Sequence, residues 1–270
     1  MPVHAGPASA RRRPQTLASP RLALSWIALA VLAAAAWALT VMQASRTGIG
    51  PGTMGMMLLP FLGIWIMMMA AMMLPSVAPV VVLWARLIGS VAAKPVRVAR
   101  MSLFLGGYLL AWTAFGVVAF MALRGADRLL DDSPTAAKWL GVGIFVGAGL
   151  YQLTPWKDWC LRHCRSPIGT LVHYVHIRGR VRDLRVGIHH GTTCVGCCWG
   201  LMIVLVAVGV MDVPAMIALA VIIFIEKIWH HGKSFSWAIG TLLLATGLLA
   251  IWFPWLLAGL HATTSHGMIT

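Results

Sequence analysis

The chain has 270 residues, of which 60% are hydrophobic and only 10% are charged, whereas soluble domains carry roughly a quarter charged residues. This composition excludes an ordinary soluble enzyme and indicates an integral membrane protein. The net charge of +14 fits attraction to an anionic membrane leaflet better than nucleic-acid binding, so we expect lipids and no nucleic acid among its partners.

Seven apolar stretches follow one another along the chain, most of them near the ~20 residues that a helix needs to cross a bilayer. They cover residues 22–42, 57–83, 101–123, 139–153, 197–211, 213–228 and 235–257. The sequence predicts an all-α polytopic membrane protein, a bundle of about seven transmembrane helices in one domain, 22–258, between a basic tail, 1–21, and a tail at 259–270. The first stretch is longer than the roughly 7–15-residue core of a signal peptide, which favours an uncleaved anchor.

Basic residues set the expected orientation. If the N-terminus is cytoplasmic, 17 of the 21 Lys and Arg residues fall on the cytoplasmic side, as the positive-inside rule requires. The loop 156–191 and its basic residues are then cytoplasmic, and the tail at 259–270 is exterior. We therefore expect a protein of the bacterial cytoplasmic (inner) membrane.

Short motifs predict two helix contacts. The fifth and sixth stretches are joined by Met-Asp-Val-Pro at 211–214, and because Pro is tolerated in the first turn of a helix, we expect an antiparallel hairpin there. In the fourth stretch, Gly143 and Gly147 form a small-xxx-small pair, which indicates a close contact with another helix.

All the cysteines fall in or beside the loop 156–191. Cys160 and Cys164 flank His163, whereas Cys194, Cys197 and Cys198 follow His189 and His190. Since the cytosol keeps thiols reduced, grouped cysteines there bind a metal or perform redox chemistry more often than they form disulfides.

Two interpretations of these cysteines stay open. Cys160, His163, Cys164, His189, Cys194, Cys197 and Cys198 offer more soft and borderline ligands than the four of a tetrahedral site. If the fifth helix begins near Cys197, its positive end and the neighbouring Arg residues would lower the thiol pKa values and favour the metal-binding thiolates. The alternative is that Cys197 and Cys198, beside Gly196 and Gly200, pack as small apolar residues.

The second stretch carries an unusual set of methionines. Met68 and Met72 lie four residues apart, as do Met69 and Met73, so each pair shares a helix side. Such methionines usually fill a core, but thioethers are also soft ligands for Cu(I). Pro75 then interrupts the helix, which releases backbone carbonyls that need other partners.

One acidic residue ends the sixth stretch. Glu226 is costly near the membrane boundary unless it is paired or functional. It is either an additional hard ligand or proton carrier beside the thiols, or the partner of a basic residue of the loop while Lys227 snorkels to the surface.

Four motifs together resemble a known family. "WIMMMAAMMLPSVAPV", "YQLTPWKDWCLRHCRSP", "HHGTTCVGCCWGLM" with "GVMDVPAM", and "EKIW" occur in this order and are similar to the predicted metal-binding integral membrane proteins of domain-of-unknown-function family 2182. The resemblance covers about residues 54–232. It implies a polytopic protein that binds a metal.

Three function classes follow. We favour a membrane protein that binds or handles a soft transition metal, copper before zinc or iron, through the Cys/His cluster and an intramembrane Met ladder. A metallochaperone or another membrane subunit is the expected protein partner. The alternatives are a non-catalytic assembly or scaffold protein whose Cys and Met residues pack, and a membrane thiol or metal redox protein. No catalytic arrangement stands out, so an enzyme is the less favoured reading.

Overall fold

A computed structural model describes residues 20–47, 53, 55–89, 93–166, 174, 179, 181–253 and 257. The tail at 259–270 and most of the tail at 1–21 lie outside the described residues. Within them the protein is all-α, as predicted, with no strand. Its helices are α1 (Pro20–Thr47), α2 (Leu58–Gly89), α3 (Lys94–Asp132), α4 (Pro134–Gln152), α5 (Pro155–Arg165), α6 (Arg182–Val208), α7 (Val213–Ile228) and α8 (Gly232–Leu249).

Each predicted stretch overlaps a helix, but the prediction that the fifth begins at Cys197 is wrong. α6 begins at Arg182 because the Gly-Thr-Thr-Cys segment continues the helix. Gly191 and Cys194 are buried against its neighbours, whereas the Thr192 and Thr193 hydroxyls donate back to the His189 carbonyl. The segment predicted as a loop also contains α5, where the Thr154 side chain accepts a hydrogen bond from the backbone N–H of Lys157 and Pro155 occupies the first turn.

Aromatic and polar contacts fix the relative directions of the helices. Trp65 Nε1 donates to the Trp112 carbonyl at 3.0 Å, and the Trp84 and Phe104 rings lie 6.3 Å apart. Residue numbers therefore increase along α3 where they decrease along the facing side of α2, so these two helices are antiparallel.

By the same reasoning α3 and α6 are parallel. The Arg100 guanidinium binds the Asp183 carboxylate at 2.9 Å, and Tyr108, two turns further along α3, contacts Cys194 at 3.1 Å. α2 and α6 are thus antiparallel, and the Trp84 indole also donates to Asp183 at 3.1 Å.

Glycines allow the closest helix contacts. A Cβ on Gly187 would collide with the Phe104 carbonyl, and one on Gly149 in α4 would lie 2.8 Å from the Gly240 carbonyl in α8. Nothing lies within 4 Å of a Cβ built on Gly143 or Gly147. The predicted small-xxx-small contact is therefore wrong, because these two glycines face away from the neighbouring helices.

α6 and α7 form the predicted hairpin. Asp212 caps α7 by accepting from the Ala215 N–H at 2.7 Å, and Gly209 adopts φ 131° in the turn. Cys194 and Lys227, which lie at similar distances from that turn along the chain, are in contact at 3.0 Å. The two helices therefore run antiparallel.

Four of the described helices are long and apolar enough to cross a membrane. They are α1, α2, α3 and α6, which contain the segments Ala23–Arg46, Leu58–Ile88, Pro95–Arg128 and Arg182–Val208. The helices α4, α7 and α8 have 19, 16 and 18 residues. α4 packs against α6 and α8, and α7 against α2 and α6.

Candidate metal centre

Three cysteines on successive turns of α6 bring their sulfurs together. Cys194, Cys197 and Cys198 have the spacing i, i+3, i+4, which places them on one helix face. Their Sγ atoms all lie within 4.8 Å of one another, and the Sγ atoms of Cys197 and Cys198 are 3.2 Å apart. All three side chains are buried. We call these residues the thiol trio.

α5 brings further thiols to this face of α6. Cys164 Sγ lies 3.6 Å from Cys197 Sγ, so the two cysteine groups meet despite their separation in the sequence. Cys160 packs against Gly196, where a Cβ would lie 2.9 Å from its sulfur. Both α5 cysteines are half-buried.

The expected effect of a helix terminus on the thiols does not apply. Because α6 begins at Arg182, Cys194 lies more than three turns inside it, and the helix dipole acts within the first turn only. For Cys160 the direction is opposite to the one predicted. Burial raises the pKa of its thiol, and the Lys157 ammonium offsets that only in part.

A polar network surrounds the Cys194 sulfur. The Lys227 ammonium donates to Cys194 Sγ at 3.0 Å and to Ser76 Oγ of α2 at 3.1 Å. The Tyr108 hydroxyl of α3 lies 3.1 Å from the same sulfur. Lys227 does not snorkel, as one interpretation of the sequence held, but points into the bundle because a thiol and a hydroxyl bind it there.

The two adjacent histidines lie in different surroundings. His190 is buried one turn before Cys194, and its ring lies 6.1 Å from that of Tyr108. His189, the predicted ligand, is exposed. The Tyr174 hydroxyl lies 3.3 Å from Nδ1 of each. His190 is therefore the histidine on the same helix face as the trio.

Glu226 binds a basic residue rather than facing the thiols. Its Oε2 accepts from Lys157 Nζ at 2.8 Å and its Oε1 from Gln152 Nε2 at 2.9 Å. Both charged side chains are only 1% exposed. Of the two alternatives for Glu226, the structure favours pairing with the basic segment.

His163 lies on the exposed side of α5. Its Nδ1 is 2.9 Å from the Trp159 carbonyl, and the Trp159 and His163 rings are 4.3 Å apart. It therefore faces away from the trio, although Cys164 follows it directly in the sequence.

The four methionines of α2 that the sequence singled out, Met68, Met69, Met72 and Met73, are fully buried, with at most 1% of each exposed. Met68 and Met69, together with Met202 of α6, line an apolar cavity of about 240 Å³. Met72 borders a different groove, beside Trp37 of α1. Met68 and Met69 thus line one cavity, whereas Met72 lines another groove. Met202, which shares the first cavity, lies one turn beyond Cys198 in α6.

The thiol set fits a soft metal ion. A Zn–S bond of ~2.3 Å in a tetrahedral site separates the sulfurs by roughly 3.8 Å, and the trio has its sulfurs within 4.8 Å of one another. Small side-chain rotations therefore suffice to bring three thiolates to one ion. Thiolates without a hard oxygen ligand favour Cu(I), zinc or iron–sulfur chemistry.

The sequence interpretation missed His190, Tyr108 and Lys227 as parts of this centre. The spacing of His190, Cys194, Cys197 and Cys198 is i, i+4, i+7, i+8, the pattern of one helix face. This signal was present, but the early start of α6 was needed to recognise it. Nothing local indicates that Tyr108 and Lys227 reach the same sulfur.

Comparison with known proteins identifies a family for this chain. Residues 62–250 match the model of a family described as PpoB2, copper chaperone. No curated protein and no solved structure matches the chain. The match supports the metal-related part of the resemblance, whereas family 2182 itself stays a resemblance. Since the matched residues make up well over half of the chain, this protein belongs to the PpoB2 copper chaperone family.

Proposed function

We propose that this protein is an integral membrane copper-handling protein that binds Cu(I) at the thiol trio and passes it to an acceptor protein. The observation that carries the proposal is the convergence of three buried sulfurs on one helix face. The copper chaperone family supplies the choice of metal. Membrane insertion is supported by the four long apolar helices, and the basic residues favour a bacterial inner membrane with the N-terminus inside.

The family match carries the choice of copper over zinc, and the thiol trio is compatible with it. A structural zinc site takes four ligands, and the two carboxylate oxygens of Glu226 are engaged by Lys157 and Gln152. A zinc site would need Cys164, 3.6 Å from Cys197, as its fourth ligand, whereas a soft monovalent ion can be coordinated by fewer thiolates. His190 lies one turn away and is the borderline ligand nearest along α6.

The methionines have a secondary place in this proposal. Met68, Met69 and Met202 border one cavity, and Met202 follows Cys198 by one turn. Thioethers at that position extend the run of soft ligands from the trio into the apolar interior of the bundle. Met72 and Met73 act as core residues that pack α2.

Metal stoichiometry of the detergent-purified protein tests the proposal. The unaltered chain, loaded anaerobically with Cu(I) in competition with a chromophoric chelator, should bind copper stoichiometrically. Replacing Cys197 and Cys198 by Ser keeps the size but removes the soft donors, so binding should be lost. Cys160→Ser is the matched control and should bind normally. Full copper occupancy in the double variant, or binding of zinc but not copper by the unaltered chain, would contradict the proposal.

A further inference from the structure

The thiol trio has an access problem. Cys194, Cys197 and Cys198 are exposed by 0%, 1% and 1%, so a hydrated ion or a donor protein cannot touch these sulfurs directly. Cys164 is half-buried, and its sulfur lies 3.6 Å from that of Cys197. Cys164 is thus partly exposed at the protein surface and also contacts the trio.

Cys160 provides a contrast on the same helix. It is also half-buried and lies one turn before Cys164. Among the described residues, however, Cys164 makes a sulfur–sulfur contact with the trio, whereas the Cys160 sulfur lies beside Gly196. Of the two α5 thiols, Cys164 is therefore the one placed to exchange an ion with the trio.

We propose that Cys164 is the exchange ligand through which Cu(I) enters and leaves the thiol trio, and that the buried Lys157–Glu226 ion pair holds α5 in the position that allows this. The proposal rests on the proposed function, since it assigns a route to the same site. The chemistry points to a donor that carries Cu(I) on its own thiolates, such as a cytosolic thiol protein or a thiol peptide.

The exchange step is a ligand substitution without redox change. Cys164 loses its proton and its sulfur forms a bond to Cu(I) while one donor Cu–S bond breaks. The leaving donor thiolate keeps its electron pair and takes up a proton. Cys197 then replaces the remaining donor ligand in the same way, over the short distance between the two sulfurs. Copper stays Cu(I) throughout, so no oxidant or reductant is required.

The Lys157–Glu226 ion pair holds α5, the helix that carries Cys164, in place. Lys157 Nζ lies 2.8 Å from Glu226 Oε2, with both side chains 1% exposed. Lys157 and Cys164 are seven residues apart, so both lie on the inner face of α5. α5 is thus attached to α7 near its beginning and contacts α6 near its end. Arg162 of α5 lies on the outer face and is 66% exposed, whereas Asp158 is 17% exposed and pairs with both Arg162 and Lys233 of α8.

Transfer kinetics test the role of Cys164. Cu(I) is mixed with the detergent-solubilised protein as a coloured bis-chelate, and loss of colour gives the rate. Cys164→Ser should slow loading and release by roughly tenfold or more, because a hydroxyl is a poor ligand for a soft ion. Its final occupancy should remain full, since the trio is intact. Cys160→Ser should load at the normal rate.

The outcomes separate this inference from the proposed function. If the unaltered protein takes up no copper, the proposed function fails. If it loads normally and Cys164→Ser loads equally fast, only the exchange role is overturned. An equal slowing in Cys160→Ser also overturns it, because both thiols would then act without distinction.

The ion pair is tested by removing both charges together. Lys157→Met with Glu226→Leu avoids leaving one buried charge unpaired. Because α5 is then no longer held to α7, the Cu(I) transfer rate should change while the final copper occupancy stays full. Arg162→Gln is the control on the exposed face and should have no effect, since Asp158 keeps its contact with Lys233. Unchanged kinetics in the buried double variant contradict the role of the pair. Should that variant fail to fold, amide exchange in the unaltered protein replaces it. If the pair holds α5 in position, the amides of residues 159–165 should exchange slowly, and rapid exchange along α5 would contradict the role of the pair.

Discussion

A buried lysine beside a thiol needs a compensating negative charge. Removing an ammonium group from water costs several kcal/mol unless an anion or good acceptors lie next to it. Lys227 donates to Cys194 Sγ and to Ser76 Oγ, at 3.0 and 3.1 Å. We therefore expect its charge to balance a thiolate at Cys194 and so to contribute to copper affinity.

Replacing Lys227 by Met keeps the volume of the side chain but removes this charge. A hydrogen bond to a charged group contributes about 1.5–3 kcal/mol, so Cu(I) affinity should fall by roughly ten- to a hundredfold. Lys227→Arg should lose less, because it retains the charge. Chelator competition measures the affinity. Lys233→Met, at a lysine 55% exposed, serves as control, and equal affinities for the two Met variants would show that Lys227 plays only a structural part.

At the scale of the helices, the centre depends on how closely α3 approaches α6. Gly107 of α3 has so little space that a Cβ there would collide with the Leu184 carbonyl. A Cβ on Gly191 of α6 would lie 2.9 Å from the Tyr108 carbonyl. Such backbone contacts hold Tyr108 against Cys194. The spacing of two helices thus controls one of the hydrogen bonds to the trio.

Adjacent glycines of α3 provide a sharp test of this contact. Gly107→Ala should destabilise the protein by about 1–3 kcal/mol, as overpacking of a tight contact does, and should weaken copper binding because Tyr108 moves away from Cys194. Gly106→Ala meets nothing within 4 Å and should be neutral or slightly stabilising, since Ala favours a helix. Unfolding in denaturing detergent measures both variants. Indistinguishable curves would argue against the close packing.

The existence of the helices was predictable from the length of the apolar runs, but the points at which they begin and the segments between them were less so. The stretch 213–228 matches α7, whereas α6 begins fifteen residues before the predicted position at Cys197. Glycine, threonine and cysteine suit a helix that packs against another helix, yet in the sequence they resemble a loop. Hydropathy alone cannot separate these cases.

The candidate centre was predictable only where its contacts are local. If residues 194–198 are helical, the spacing of Cys194, Cys197 and Cys198 alone predicts that their side chains share one helix face. The contacts of Cys164 with Cys197 and of Lys157 with Glu226 join residues 33 and 69 positions apart. Such pairings depend on how the helices pack, which no local pattern encodes.

For the whole molecule, alternating helix directions agree with the charge distribution. α4 and α6 are antiparallel, since Tyr151 of α4 packs at Gly200 and Ile144 shares a cavity with Ile203. α5 lies between these two helices in the chain, and its 11 residues span about 16 Å, too short to cross a bilayer. In the membrane orientation that we propose, α5 therefore lies on one side, together with the basic residues of its segment.

Reporter fusions test the orientation that we propose. A fusion after Lys94 or Arg180 should report a cytoplasmic location, and one after Asp132 an exterior location, because the positive-inside rule retains the basic loops. A fluorescent protein and alkaline phosphatase, which are active on opposite sides, give complementary signals. An exterior signal after Arg180 would reverse the orientation and would place the cysteines in an oxidising compartment.

The thiol trio also has a consequence for the time during which the protein is made. All three cysteines stand on one stretch of α6, so their sulfurs converge as soon as that stretch is helical, whatever the rest of the chain has done. Lys227 follows Cys194 by 33 residues, and synthesis at roughly 5–20 residues per second leaves an interval of seconds. During that interval the nascent chain presents three soft ligands without their counter-charge. If the trio binds copper as we propose, we expect the nascent protein to be more susceptible to oxidation and to binding of another metal than the folded protein.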